Sequence, residues 1–214
     1  MDINTQNKKL AGDIILYDKD THWSQSSTSL LKEFLSFIKF AQIKGPINFN
    51  YVESHGPLIA NLSLKENLFL ECISTISPLD QFNLEEMLNN TKNPFLQGLA
   101  AKIKNWDLYP HQVPAIQHKI VSILKAFIRP SHFIILDNPD DLLEIGSIML
   151  LEQLISFEAS QNGRTFFISS NQCTHWEKII SKILCRSKRA QFVLLTRPKN
   201  SPSLEKSTGL SLIA

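Results

Sequence analysis

Residues 118–139 have the sequence HKIVSILKAFIRPSHFIILDNP, and this stretch decides the fold class. Apolar residues recur in its first half at the spacing of one helix face, which predicts a helix from Ala115 to Ile128. The apolar run Phe133–Leu136 then predicts a buried strand that ends in Asp137. A helix followed by a strand without polar alternation is typical of a parallel sheet that is covered by helices on both faces.

Further strands and helices are predicted on either side of this stretch. Short apolar runs indicate strands at 14–17, 47–52, 165–168, 183–185 and 192–195, and the last pair should form a hairpin. Amphipathic spacing indicates helices at 28–40, 58–73, 84–103, 145–157 and 174–181. Because strands alternate with helices, we predict an α/β fold with a mostly parallel sheet, in which the strand-poor residues 60–125 form a helical insertion.

Individual polar, proline and glycine residues predict where several helices and strands begin or end. A hydroxyl of Thr28 or Ser29 is expected to cap the helix that starts there. Pro114 suits the first turn of the helix that begins at Ala115, because a missing N–H costs nothing at that position. The pair Asn162-Gly163 predicts a turn before the strand at 165–168.

Composition excludes several function classes. With 214 residues the chain suits one domain with a substantial core, and a net charge of +2 is too small to indicate nucleic-acid binding. Three cysteines without CxxC spacing and six histidines without HExxH spacing predict neither disulfides nor a metal site. The first residues lack a signal-peptide core and no apolar run could span a bilayer, so a role at a membrane requires docking on a membrane protein.

Basic residues gather towards the C-terminus, and two interpretations stay open. They form either an ordinary solvated face or a contact surface for anionic lipid headgroups or an acidic partner. The residues are Lys178, Lys182, Arg186, Lys188, Arg189, Arg197 and Lys199. The polar tail from Pro198 to about Thr208 is expected to be mobile.

Three stretches resemble the ATPase subunit of ABC transporters. Residues 51–70, YVESHGPLIANLSLKENLFL, resemble the family's glutamine loop and its run into the helical lobe. Residues 118–139 resemble the helix after the signature motif and the strand that ends in the phrase LLLDEP. Residues 162–172, NGRTFFISSNQ, resemble the segment GKTVIIVTHD. The resemblance implies a P-loop NTPase-like domain over residues 1–196, with a helical subdomain at about 60–125, a reduced N-terminal β-lobe and a polar tail at 197–214.

The segment that matches the family's phosphate-binding loop lacks the residues that hold ATP. Residues 21–28, THWSQSST, contain no glycine, and Ser27 stands where the family has its lysine. Without glycine the loop does not easily adopt left-handed backbone angles, and without lysine a triphosphate loses its main cationic partner. Thr28 keeps the hydroxyl that holds magnesium in the family. The following helix N-terminus still favours an anion, but weakly.

The other positions that the family uses for ATP are also changed. Glu53 matches the glutamine, Asn138 the catalytic glutamate and Asn171 the switch histidine. An amide cannot serve as a general base at neutral pH, so Asn138 implies the loss of hydrolysis. Asp137 matches the carboxylate that holds magnesium; it is either part of a vestigial nucleotide site with Ser27, Thr28 and Glu53 or a residue that positions the following loop.

Residues 113–117, VPAIQ, match the signature motif LSGGQ, which in the family closes over ATP held by a second subunit. The serine and both glycines are missing, Pro114 has no N–H to offer a phosphate, and Ile116 adds bulk. In a heterodimer, one composite site would therefore lack a working phosphate loop and the other a working signature.

The family's docking groove for a helix of the membrane subunit corresponds to residues 54–67 and the adjacent helical lobe. Apolar residues in this region are either part of the core or the surface of such a groove, since an apolar groove can receive an amphipathic helix. They are Leu58, Ile59, Leu62, Leu68 and Phe69.

Together, the resemblance and the losses imply a catalytically inactive ATPase-like subunit without a cofactor, which scaffolds or regulates a transport complex at the cytoplasmic face of the inner membrane. The implied partners are an integral membrane permease, an active ABC ATPase subunit or both, in a homodimer or heterodimer. Two alternatives stay open. A weak binder of magnesium-ATP would use Thr28, Asp137 and Lys32, whereas a soluble interaction module would be unrelated to transport.

Overall fold

The computed structural model describes residues 11–18, 29–70, 83–91, 93–187 and 191–197. Its helices are α1 (Leu30–Phe40), α2 (Leu64–Phe69), α3 (Leu84–Asn90), α4 (Pro94–Ala100), α5 (Ala115–Ile128) and α6 (Ile145–Asn162). Its strands are β1 (Ile14–Tyr17), β2 (Phe49–Val52), β3 (Phe133–Asp137), β4 (Thr165–Ser169), β5 (Lys182–Arg186) and β6 (Phe192–Thr196).

Within the described residues, the strands form a six-stranded sheet in the order β2-β3-β4-β1-β5-β6. β3 pairs in parallel with β4, and β1 pairs in parallel with both β4 and β5. The hairpin of β5 and β6 is antiparallel. The prediction of an α/β fold with a mostly parallel sheet flanked by helices is therefore confirmed.

The apolar face of α1 packs on the sheet through aromatic side chains. Phe34 and Phe37 are buried, and their rings lie 5.4 and 5.9 Å from the ring of Phe167 on β4. Phe34 also contacts Phe133 of β3 edge to face at 5.4 Å. Such pairs stabilise a fold by about 0.5–1.5 kcal/mol beyond the burial of their area. Helix α1 thus packs on the interior strands β3 and β4 through the apolar residues whose helical spacing is visible in the sequence.

The chain divides into two compact units. The sheet unit comprises Met1–Tyr51, Ser131–Asn138 and Glu158–Ala214, and the helical unit comprises Val52–Pro130 and Pro139–Phe157. Within the helical unit, α2 and α4 pack on α5, which buries an apolar face. The described part of the predicted helical insertion lies in this unit.

Residues 115–137 form the helix and the strand that their sequence predicts. α5 covers Ala115–Ile128 and β3 ends at Asp137, as predicted. Pro114 occupies the N-cap position of α5, one residue before the first turn. At the predicted Asn162-Gly163 turn, α6 ends at Asn162 and Gly163 adopts the left-handed backbone conformation with a φ of 63°.

Two predicted helices are shorter than expected because polar caps start new helices inside them. Residues 58–63 are a loop, since Ser63 and Glu66 form a reciprocal capping box that begins α2 at Leu64. The stretch 84–103 is interrupted before α4, where the Asn93 side chain accepts hydrogen bonds from the backbone of the first turn. Residues 71–73 of the first prediction lie outside the described residues.

Other expected element ends also differ. α6 continues to Asn162 because its buried face extends beyond Phe157, through Ala159. The predicted helix at 174–181 is a 3₁₀ turn at Cys173–His175 followed by turns, because Ser181 is drawn into the sheet by its N–H, which donates to Ile14 O at 2.9 Å.

The expected cap of α1 is wrong for Ser29. This residue occupies the N-cap position, but its side chain makes no capping hydrogen bond, and Thr28 lies outside the described residues. The tail from Pro198 onward also lies outside them. In the part of the chain that the structure covers, no helix is both long enough and apolar enough to cross a lipid bilayer.

Candidate functional site

Asp137 lies half-buried at the carboxyl end of β3, where both of its carboxylate oxygens accept hydrogen bonds. Oδ2 accepts from the Tyr51 hydroxyl at 3.4 Å, and Oδ1 accepts from the Asn138 side-chain amide at 3.2 Å. These two bonds orient the carboxylate. The arrangement favours the interpretation in which Asp137 positions the loop that follows it.

Asn138 joins the ends of two neighbouring strands. Its backbone N–H donates to Ser169 O at 2.7 Å, which connects the end of β3 to the end of β4. Its φ of 42° lies in the left-handed region, which asparagine tolerates better than most residues. The side chain is therefore an amide in a specialised backbone position, directly beside the Asp137 carboxylate.

The remaining residues of the predicted nucleotide site lie in different segments of the chain. Ser27 and Thr28 lie outside the described residues, so the phosphate-loop prediction for 21–28 stays a prediction. Glu53 is exposed in the helical unit just after β2, and Asn171 is exposed at a bend after β4 in the sheet unit. Lys32, which the weak ATP-binding alternative invokes, is exposed on α1.

The segment that matches the signature motif starts α5. Pro114 is the N-cap with φ −62° and ψ 151°, and no side-chain hydrogen bond caps the helix there. Pro114 O accepts from Gln117 N at 2.9 Å, which closes the first turn. Since proline lacks an N–H, this helix end presents one donor fewer to an anion than a serine or glycine would provide.

The predicted apolar groove is only partly at the surface. Ile59 is 45% exposed, and Leu58 and Leu62 are half-buried, so these three can contact a partner. Leu68 and Phe69 are fully buried on the inner face of α2. Of the two alternatives, these two residues follow the core one, because α2 turns that face inward, and Phe69 is therefore not part of the predicted groove surface. We refer to Leu58–Leu62 as the docking loop.

Asn67 holds the docking loop, and the sequence analysis missed it. The side chain is 2% exposed. Its Oδ1 accepts from Ile59 N at 2.7 Å, and its Nδ2 donates to Ile59 O, Leu62 O and Ser63 O, each at 3.0 Å. Helical spacing places Asn67 on the same face as Leu64 and Leu68, and an amide on an apolar face is a signal that could have revealed this role.

Of the four basic residues near the C-terminus that the structure describes, three form ion pairs within the sheet unit. The pairs are Lys182–Asp13 at 2.5 Å, Arg186–Glu33 at 2.9 Å and Arg197–Glu177 at 3.9 Å. Lys178 is exposed, while Lys188, Arg189 and Lys199 lie outside the described residues. These pairs favour ordinary protein surface over a lipid-binding patch, because the paired cations are already neutralised.

Comparisons with known proteins bear on the fold. No protein-family model and no curated protein matches the sequence. An ATP-binding subunit of an ABC transporter matches with a TM-score of 0.59 at 14% identity, over 82% of this chain and 75% of that chain. A transporter described as of the metal-chelate ABC type, in an inward-facing conformation, matches with a TM-score of 0.56 at 16% identity, over 86% of this chain and 72% of that chain.

A third match is to a dimeric ATP-binding cassette in a post-hydrolysis state, bound to ADP and phosphate. Its TM-score is 0.55 at 17% identity, over 82% of this chain and 81% of that chain. The chain has the fold of the ATP-binding cassette of ABC transporters.

Proposed function

We propose that this chain is a non-hydrolysing ATPase-like subunit that scaffolds or regulates a membrane transport complex. The observation that carries the proposal is the amide of Asn138, which donates to Asp137 Oδ1 at 3.2 Å. It stands where the resemblance places a catalytic glutamate. An amide has no basic lone pair at neutral pH and cannot take a proton from an attacking water.

The hydrogen bonds of Asp137 support the same proposal. Magnesium needs oxygen ligands in a nearly regular octahedron. Each carboxylate oxygen of Asp137 accepts one hydrogen bond, from Tyr51 or from Asn138, so a magnesium ion would have to bind through the remaining lone pairs. The retained aspartate therefore acts as a structural acceptor, and we expect neither a metal nor a nucleotide to be required for the fold.

Docking on a partner is supported by the docking loop. Ile59 is 45% exposed between the half-buried Leu58 and Leu62, and the buried amide of Asn67 holds the loop. An exposed apolar loop of this kind fits an amphipathic helix. The partner is an integral membrane permease, with or without an active ABC ATPase subunit, and the chain works peripherally at the cytoplasmic face of the inner membrane.

The loss of hydrolysis is tested with the purified chain. Incubation with magnesium-ATP should release no phosphate above the buffer background, because the general base is replaced by Asn138. Phosphate release that disappears in the Asp137→Ala variant would contradict the proposal. Release that persists unchanged in that variant would identify a contaminating ATPase, and the chain itself would still be inactive.

Docking is tested by purifying the tagged full chain from detergent-solubilised membranes and identifying its partners by mass spectrometry. A membrane permease should be captured, and Ile59→Glu should reduce the capture at least about tenfold, since a buried charge in an apolar contact is costly. Leu35→Glu is the matched control, because Leu35 is 46% exposed on α1, away from the docking loop in sequence. Capture of neither a permease nor a cassette ATPase would favour an interaction module unrelated to transport.

A further inference from the structure

The segment 53–63 connects β2 to α2 without forming a helix or strand. Loops of this kind are usually the most mobile parts of a domain. This one is held at its start and its end by buried polar side chains of the helical unit, Lys119 and Asn67. The docking loop is the second half of the segment, so these side chains determine where its apolar residues lie.

Lys119 holds the start of the segment. It lies on α5 with no exposed surface, and its Nζ donates to Glu53 O at 3.0 Å and to Ser54 O at 2.7 Å. A buried ammonium is costly unless it is hydrogen-bonded. The two carbonyls must therefore stay beside Nζ in the folded helical unit, which fixes the backbone of residues 53 and 54.

Gly56 lets the segment lie directly against α5. Its φ is +55°, a conformation that favours glycine. A Cβ at this position would lie 2.8 Å from Ser122 Oγ and 3.3 Å from Lys119 Cα. Because a side chain would push the backbone away from α5, the carbonyls of residues 53 and 54 could then no longer reach Lys119 in the same geometry.

Asn67 holds the end of the segment. Its amide accepts from Ile59 N and donates to the carbonyls of Ile59, Leu62 and Ser63. These bonds reach from Ile59 to Ser63 and so cover most of the docking loop. A single side chain of α2 therefore sets the conformation in which Ile59 is exposed.

We propose that Lys119 and Asn67 are positioning residues that keep the docking loop in its binding conformation before any partner or nucleotide is bound. The loop and its anchors all belong to the helical unit, whereas Asp137 belongs to the sheet unit. The anchoring bonds of Lys119 and Asn67 are made to the segment itself, and a loop held in this way avoids the entropic cost of ordering on binding. This inference rests on the proposed function and specifies which residues hold its docking surface in place.

Hydrogen–deuterium exchange of the full wild-type chain tests the anchored loop without a partner. The N–H groups of Gly56, Ile59 and Leu62 donate to Glu53 O, Asn67 Oδ1 and Ile59 O. They should exchange about 100-fold more slowly than an unstructured chain, and equally fast with and without magnesium-ATP. Exchange at unstructured rates, or rates that change with magnesium-ATP, would overturn the proposal.

Two substitutions test the individual anchors. Lys119→Met keeps the length of the side chain without the ammonium, and it should speed exchange at Gly56 about tenfold. Asn67→Asp keeps an oxygen that can accept from Ile59 N but loses the Nδ2 donors, and it should speed exchange at Leu62 about tenfold. Lys104→Met is the control, since Lys104 is exposed in the same unit. Unchanged exchange in both anchor variants would reject the proposal, and the Asn67 variant decides it if Lys119→Met does not fold.

The two proposals fail in different ways. A protected loop in a chain that captures no permease would reject the proposed function and support the anchoring by Lys119 and Asn67. An unprotected loop in a chain that captures a permease would reject the anchoring alone.

Discussion

At the scale of single residues, Tyr17 has a hydroxyl whose acidity is changed by its surroundings. Its pKa is raised from 10.0 to about 12, first by burial and then by the nearby carboxylate of Glu33, which more than offsets the opposite effect of Arg186. The folded state therefore holds this proton more tightly than the unfolded chain does. Its contribution to the free energy of unfolding is fully present below pH 10 and is lost as the pH rises towards about 12.

The Tyr17→Phe variant should therefore lose less stability than the wild type between pH 10 and about 12. Denaturant unfolding at a series of alkaline pH values measures the difference. Tyr109→Phe, the same change at a residue that is 42% exposed, is the control for the loss of a tyrosine hydroxyl. Equal pH dependence in wild type and Tyr17→Phe would show that burial does not perturb this hydroxyl.

The role of the single residue Asp137 likewise follows from the hydrogen bonds that it accepts. Asp137→Ala removes the acceptor for Tyr51 and Asn138 and should lower the free energy of unfolding by about 1–3 kcal/mol. Asp137→Asn keeps one oxygen acceptor and should cost less. Chemical denaturation measures both. An Asp137→Ala variant of unchanged stability that loses binding of magnesium-ATP would show that the residue serves a nucleotide site.

At the scale of elements, periodicity predicted most of the helices but wrongly predicted one at 174–181, while caps determined where several helices begin. α5 has a long apolar repeat, and its limits were predicted correctly. The stretches 58–73 and 84–103 also have helical spacing, but Ser63 and Asn93 start new helices within them. Both caps are visible in the sequence, as Ser-x-x-Glu and Asn-Pro. Helix limits were therefore missed where a local polar signal outweighs the apolar repeat.

The capping box of α2 gives a prediction at this scale. Ser63 Oγ accepts from Glu66 N at 3.2 Å, and Glu66 Oε2 accepts from Ser63 N at 2.6 Å. Since α2 has six residues and cannot be stable alone, Ser63→Ala should lower the free energy of unfolding by about 1 kcal/mol. Urea denaturation measures this loss.

The control for this prediction is Ser36→Ala, the same change at an exposed position inside α1. It should be neutral or slightly stabilising, because alanine has the higher helix propensity. A loss in Ser63→Ala no larger than in Ser36→Ala would mean that the capping box contributes nothing measurable.

At the scale of the whole molecule, the sequence supplied the order of strands and helices but not the long-range polar contacts. The fold followed from apolar runs and from the resemblance of three stretches. The bonds from Lys119 to the carbonyls of Glu53 and Ser54 could not be predicted, because they join positions 66 and 65 residues apart. The bond of Tyr51 to Asp137 is similarly distant in sequence. Such contacts exist only after the chain has packed.

The response of the whole chain to magnesium-ATP separates the inactive subunit from the weak ATP binder. A ligand that binds only the folded state stabilises it by about 2.7 kcal/mol at 100 times its Kd, so about 1 mM ATP with a Kd of about 10 μM would do so. For a chain of 214 residues this corresponds to a rise in Tm of about 5–10 °C. A Kd above about 1 mM would instead raise the Tm by at most about 2 °C. We expect the smaller value in a thermal melt, because the resemblance places Ser27 at the position of the phosphate-binding lysine and residues 21–28 lack glycine. A rise of several degrees that disappears in Asp137→Ala would show that the cassette fold has kept a working nucleotide site.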